Sequence, residues 1–153
     1  MTSSAGVGMR AGRDASPVRR SRALVVAAGG AAALVAWTLI EPVLGVELRA
    51  PAFGGAESTS DIGPRQVLIT SVIAGLAGWA ILELLERLTA RAARIWAAIA
   101  IVALLLSLGG PLLGSGVSGG NRLGLVALHL VVAAVLIPAL YRSAGSRTRA
   151  TSA

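Results

Sequence analysis

The chain alternates between long, uniformly apolar stretches and short segments in which the charged residues collect. The apolar stretches comprise residues 23–40, 67–85, 95–113 and 123–141. Each is close to the roughly 20 helical residues that cross a bilayer. Because the stretches do not alternate with period two, they predict helices and exclude the strands of a membrane barrel. The pattern predicts an all-α, integral membrane four-helix bundle made of two in-out-in hairpins.

The segments around the 23–141 membrane domain are too small to form a soluble catalytic domain. They are a basic tail at 1–22, an outer loop at 41–66, a basic connector at 86–94, a Gly/Ser turn at 114–122 and a basic tail at 142–153. Both tails are predicted to be disordered, because they are polar and rich in small or charged residues.

Two of the predicted helices end on similar short motifs. Pro42-Val43-Leu44-Gly45 follows the first span, and Pro111-Leu112-Leu113-Gly114 closes the third. Proline and glycine both stop helices, so Pro42, Gly45, Pro111 and Gly114 are predicted helix-end turns. The repeat fits two hairpins related by duplication, and it also fits the same stop signal arising twice.

Arginine is distributed unevenly around the spans. Eleven of the fourteen arginines lie in the two tails and in the connector between the second and third spans. Positive residues collect on the cytoplasmic side, so both termini are predicted to be cytoplasmic in a bacterial plasma membrane. Trp37, Trp96 and Tyr141 are predicted interfacial anchors. A cleaved signal peptide is an alternative for the first span, although its apolar run exceeds the usual length of about 7–15 residues.

The composition excludes several kinds of chemistry. Of the 153 residues, 55% are apolar and 14% are charged, whereas a soluble domain is about a quarter charged. The chain has no Cys, no Lys and a single His, which excludes disulfides, Cys metal sites, Schiff-base lysines and Walker-type phosphate loops. No catalytic residue, metal or cofactor is predicted. The net charge of +7 does not indicate nucleic-acid binding, because the arginines flank the apolar runs.

Small residues mark the places where helices can approach closely. Gly29 and Gly30 lie in a run of small residues in the first span, and Ser71, Gly75 and Gly78 belong to small-xxx-small pairs in the second. Helices in lipid associate where small side chains let the backbones come together. The first two spans are therefore predicted to form an antiparallel pair, and a homodimer face is the alternative.

Four polar residues, His129, Glu41, Glu83 and Ser107, are candidates for function, because ionisable groups are costly at membrane depth. His129 and Glu41 could form a proton relay. The alternative is a neutral His129 bonded to a backbone carbonyl or to Ser107, with Glu41 among the headgroups. Glu83 is expected to pair with Arg87 or with an arginine on a neighbouring helix end. Ser107 and His129 could form a hydrolase pair, but no oxyanion donor accompanies them.

A set of short fragments between about residues 20 and 141 gives the chain a family resemblance. The fragments are Trp37, Pro42-Val43-Leu44-Gly45-Val46-Glu47-Leu48, Ala74-Gly75-Leu76-Ala77-Gly78-Trp79-Ala80, Leu84-Leu85-Glu86-Arg87, Arg94-Ile95-Trp96, Gly110-Pro111-Leu112-Leu113, His129-Leu130 and Leu136-Ile137-Pro138. Together they resemble a family of small four-helix membrane proteins of high-GC Gram-positive bacteria, a domain of unknown function with some members loosely linked to the cell envelope. The resemblance implies a four-span inner-membrane protein and supplies no catalytic residues.

The sequence as a whole favours a non-enzymatic membrane protein that acts by contact, as a partner subunit or an envelope-associated scaffold. Its predicted partners are the lipid bilayer and either a membrane protein or a second copy of the chain. A small transporter or ion-conducting oligomer that uses His129 and Glu41 is the alternative. An intramembrane serine hydrolase is a third interpretation.

Overall fold

Helices make up almost all of the chain in a computed structural model that describes residues 15–51 and 60–150, with side chains for 17–51 and 60–144. They are α1 (Ala15–Thr38), α2 (Pro64–Leu88), α3 (Ala92–Leu113) and α4 (Gly119–Ala150). A π-helical turn, Leu39–Val43, continues α1, and two short antiparallel strands, β1 (Arg49–Ala50) and β2 (Ser60–Asp61), precede α2. All four helices are long and apolar enough to cross a membrane, which confirms the predicted all-α four-helix bundle.

Both predicted tails are partly helical. α1 includes residues 15–22, and α4 continues through residues 142–150. Hydropathy identifies only the apolar part of a helix, whereas the backbone hydrogen bonds continue into polar turns at either end. Residues 1–14 and 151–153 of the predicted tails lie outside the described residues.

The helices are arranged as a ring in sequence order. α1 packs mainly against α2 and α4, and α3 packs against α4 and less extensively against α2. α2 and α4 also touch across the middle of the bundle.

Buried apolar side chains form one cluster near each end of the described bundle. The cluster near the β-strands, here called the cap end, comprises Ala33, Ala36, Leu48, Val67, Leu125 and Leu128. The cluster near the beginning of α1, here called the terminal end, comprises Leu82, Trp96, Leu140 and Ala144.

Trp96 is a core residue, so the prediction that it anchors the chain at the membrane interface is wrong. Its side chain is 3% exposed, and its indole N–H donates to the Gly78 carbonyl at 2.8 Å. A buried indole needs an acceptor, and glycine leaves its carbonyl accessible to a large ring. Tyr141 remains 43% exposed, and Trp37 is half-buried and donates to the Ile62 carbonyl at 2.8 Å.

Two glycines lie at the close contact between α1 and α2. A Cβ atom on Gly30 would lie 3.0 Å from Leu68 Cδ1 of α2. A Cβ atom on Gly75 would lie 3.1 Å from Val26 Cγ1 of α1. Larger residues at either position would force these two helices apart, which is the physical reason for small residues there.

The other two predicted packing glycines face different neighbours from the expected ones. A Cβ atom on Gly29 would lie 2.7 Å from Leu136 Cδ2 of α4. One on Gly78 would lie 3.6 Å from both Leu140 Cδ1 of α4 and Trp96 Cζ2 of α3. Successive residues of a helix point about 100° apart, so one run of small residues serves two neighbouring helices.

Two hydrogen bonds from the Asn121 side chain attach the loop to α4 at the cap end. Asn121 lies inside the first turn of α4, because that helix begins at Gly119, within the predicted 114–122 turn. Its side chain is 2% exposed. Its Oδ1 accepts the Arg49 backbone N–H and its Nδ2 donates to the Arg49 carbonyl, both at 2.9 Å. Asn121 therefore satisfies the backbone of β1 as a neighbouring strand would.

The two similar stop motifs end their helices by different geometries. Pro42 lies inside the π-helical turn, and Gly45 has a φ of 69°, a left-handed conformation that favours glycine. Pro111 is buried in the last turn of α3, and Gly114 follows in extended backbone. Pro51 packs so closely on Gly114 that a side chain there would collide with it. The shared letters therefore do not correspond to a shared backbone structure.

Candidate functional site

A fully buried arginine joins three helices at the terminal end. Arg22 of α1 has no exposed surface. Its guanidinium donates to both carboxylate oxygens of Glu86 on α2, at 3.1 Å for the Nη1–Oε2 bond, and to Ser143 Oγ on α4 at 3.1 Å. A bidentate arginine–carboxylate pair fixes orientation as well as distance. This cluster therefore locks α1, α2 and α4 in register.

Glu83, a predicted site residue, lies beside this cluster. Its Oε1 accepts the Trp79 indole N–H at 3.0 Å and lies 3.8 Å from Arg19 Nε and 3.9 Å from Arg22 Nη1. In the part of the chain that the structure describes, its arginine partners come from α1 and not from Arg87. Carboxylates near the negative end of α2 are unfavourable, and the α1 arginines offset that cost.

His129 and Ser107 are each bonded to their own helix. His129 Nδ1 lies 2.7 Å from the Leu125 carbonyl oxygen, and the Ser107 hydroxyl donates to the Leu104 carbonyl at 2.7 Å. Because a carbonyl oxygen can only accept, Nδ1 carries the hydrogen. Over residues 17–51 and 60–144, no hydrogen bond joins His129 to Ser107 or to Glu41. The described residues therefore assemble neither the proton relay nor the hydrolase pair.

Glu41 lies in the π-helical turn that ends the first span. Glu41 is half-buried as a whole. Its Oε2 atom is buried and has no hydrogen-bond partner in the described part of the chain. The described residues also contain no group of three His, Asp or Glu side chains that could hold a metal ion. Glu41 therefore joins none of the polar networks above.

A cleft of about 580 Å³ lies between α2 and α3. Its walls include the exposed residues Thr70, Ala74 and Ala77 of α2 and Ile99, Ala103 and Ser107 of α3. Buried residues of α4 and α1 form its floor, including Leu128, Leu136 and Ala33. Because the wall residues are exposed, the cleft is open on the side facing away from the bundle. Its volume falls within the range of about 300–1,000 Å³ that is usual for ligand sites.

The cleft is polar in one half only. Its polar lining residues come from the cap half of their helices, and they are Gln66, Thr70, Ser71, Ser107 and His129. The half toward the terminal end is lined by Ile81, Trp96, Ile137 and Leu140. The cleft is therefore amphiphilic, with a polar half toward the cap end and an apolar half toward the terminal end.

The fold brings together residues that the sequence presents separately, and it adds others. Ser71, Gly78, Ser107 and His129 all line the cleft. Sequence reasoning missed Arg22, which it assigned to the tail. The available signal was the pair of carboxylates on the second span, which need a cation from another helix. It also missed Thr70, Gln66 and Asn121, whose polarity near a span end is unremarkable without the fold.

Comparison with known proteins places the chain in a family. No curated protein sequence and no solved structure matches it. A family described as a family of unknown function (DUF6069) matches residues 13–146, a range that includes all four membrane-spanning segments. The chain therefore belongs to the DUF6069 family of unknown function, as the resemblance of its membrane-spanning fragments predicted.

Proposed function

We propose that this multi-pass membrane protein works without catalysis, as an envelope-associated scaffold or partner subunit that acts by contact inside the bilayer. The contact site in this proposal is the cleft between α2 and α3. The observation that carries it is the sideways opening of an amphiphilic cleft in an otherwise packed bundle. A lipid can enter such a cleft from the bilayer without crossing water.

The hydrogen bonds of the polar groups in the bundle support a role in binding a partner more than a role in catalysis. Arg22 and Glu86 hold helices together, and His129 and Ser107 are bonded to carbonyls of their own helices. These bonds tie the groups into the fold, whereas a general base or an activated nucleophile acts on a partner group or a substrate. Transport through His129 and Glu41 has less support, because no hydrogen bond joins them within the described residues.

The volume of the cleft is compatible with a lipid chain. The cleft offers about 580 Å³, enough for a single flexible chain. Ala74, Ala77 and Ala103 keep its walls low, so a chain can lie close to both backbones.

Filling the cleft should remove bound lipid. In the double variant Ala77→Trp/Ala103→Trp, two indoles occupy the walls, and we expect lipid retained after detergent purification to fall at least fivefold from about one molecule per chain. Native mass spectrometry measures this ratio. Ala80→Trp is the matched control, because Ala80 is an exposed α2 residue that does not line the cleft. A wild-type chain that carries no lipid, or equal retention in all variants, would contradict the proposal.

We also propose that the terminal end faces the cytoplasm of a bacterial plasma membrane. Arg19, Arg20, Arg87, Arg91 and Arg94 surround that end, and positive residues are retained on the cytoplasmic side. Alkaline phosphatase, which folds only outside the cytoplasm, should be active when inserted between β1 and β2 and inactive when fused to the C-terminus. The opposite pattern of activity would refute this orientation.

A further inference from the structure

The hydroxyl and imidazole groups that line the cleft use their hydrogen-bond donors within their own helices. Thr70, Ser71 and Ser107 each donate to a backbone carbonyl three or four residues earlier, at 2.6, 2.7 and 2.7 Å. His129 Nδ1 donates to the carbonyl four residues earlier, at 2.7 Å. This arrangement is usual for such side chains in membrane helices, where the nearest acceptor is the preceding turn.

What remains available in the polar half of the cleft is a set of acceptors. Each hydroxyl oxygen keeps a lone pair, and in the neutral imidazole the Nε2 atom of His129 is an acceptor. Nε2 has no hydrogen-bond partner among the described residues. The Gln66 carboxamide is the exception, since it carries both donors and an acceptor. The described lining residues include no Arg, Asp or Glu.

We propose that the cleft binds a neutral lipid alcohol, such as a diacylglycerol, with its hydroxyl donating to His129 Nε2 or Ser107 Oγ. One acyl chain then runs along the apolar half toward Leu140. An anionic phosphate headgroup is bound through donors and cations, which the lining of this cleft largely lacks. The inference rests on the proposed function, because it names the chemical class of ligand for the same site.

Competition between lipids of matched chains tests the headgroup. Nanodiscs that contain the full chain are supplied with a diacylglycerol bearing a photoreactive diazirine on one acyl chain, and labelled peptides are identified by mass spectrometry. We expect labelling on α2 and α3 at the cleft walls. Unlabelled diacylglycerol should compete about three- to tenfold better than its methyl ether, which lacks the donor of this one hydrogen bond. It should also compete better than phosphatidic acid, which adds the charge.

Variants of the polar half test the acceptors. One hydroxyl donates one hydrogen, so the variant that removes its acceptor, His129→Leu or Ser107→Ala, should lower labelling about three- to tenfold, the loss expected for one hydrogen bond. The double variant should show the same loss. Thr38→Ala should leave labelling unchanged. Thr38 is a matched control, because its hydroxyl makes the same kind of bond to its own helix, with the Leu34 carbonyl at 2.9 Å, and it does not line the cleft.

The possible failures are distinguishable. If phosphatidic acid or the methyl ether competes as well as diacylglycerol for the wild-type chain, the assignment to an alcohol is overturned. A lipid would still occupy the cleft in that case. Unchanged labelling in folded His129→Leu and Ser107→Ala would have the same meaning. Labelling spread evenly over all exposed helix faces would instead overturn the cleft as a contact site.

Discussion

Replacing Arg22 with methionine is expected to lower the free energy of unfolding by about 3–5 kcal/mol, the usual cost of removing one partner of a buried ion pair. Glu86, whose side chain is only 10% exposed, would lose its bidentate partner at the end of a membrane helix. Methionine keeps the apolar length of the side chain, so the change isolates the charge and its hydrogen bonds. Unfolding in mixed detergent micelles, followed by circular dichroism, measures the difference.

Two further variants separate the ion pair from general effects of charge. Arg20→Met removes an exposed arginine of the same helix and should change the free energy of unfolding by less than about 0.5 kcal/mol. Arg22→Met/Glu86→Leu replaces both partners with apolar groups and should recover at least half of the loss. If Arg22→Met unfolds like Arg20→Met, the cluster does not lock the three helices.

Replacing Gly75 with leucine is expected to cost about 3 kcal/mol, the upper end of the range for overpacking a core. A Cβ atom there would already lie 3.1 Å from Val26 Cγ1, before the rest of the leucine side chain is added. Valine in a helix has one strongly preferred rotamer, so Val26 cannot turn aside. α1 and α2 must therefore separate, which the same unfolding titration detects.

The neighbouring positions on α2 supply the controls for this prediction. Ala80→Leu places the same side chain on an exposed face and should be close to neutral. Gly78→Ala should be tolerated, because its Cβ would lie 3.6 Å from the nearest atoms, an ordinary contact distance. A Gly75→Leu variant as stable as Ala80→Leu would show that α1 and α2 are not held at the distance that the structure gives.

The membrane-spanning fold could be predicted from the sequence because hydropathy is summed over about 20 residues, so no single residue decides it. The role of Arg22 could not be predicted. A charged residue just before an apolar run is solvated in most proteins, and the partners of Arg22 are 64 and 121 residues away in the chain. The interfacial position predicted for Trp96 is wrong for a similar reason. A Trp near a span end is usually interfacial, and its acceptor, the Gly78 carbonyl, belongs to another helix.

The candidate site could be predicted only residue by residue. His129 and Ser107 stand out because polar groups are rare in such spans, and the alternative of a backbone-bonded histidine matches the contact with Leu125. The cleft that unites them depends on α3 packing less closely on α2 than on α4. That difference results from how all four helices share their surfaces, and no local pattern in α2 or α3 encodes it.

The wide separation of Arg22 and Glu86 along the chain has a consequence for biosynthesis. Arg22 leaves the ribosome 64 residues before its carboxylate partner, which is about 3–13 s at ordinary rates of synthesis. During that interval Glu86 has not yet been made, so the Arg22 guanidinium cannot form its bidentate pair. The buried surroundings of Arg22 are therefore complete only after the second and fourth helices have been made.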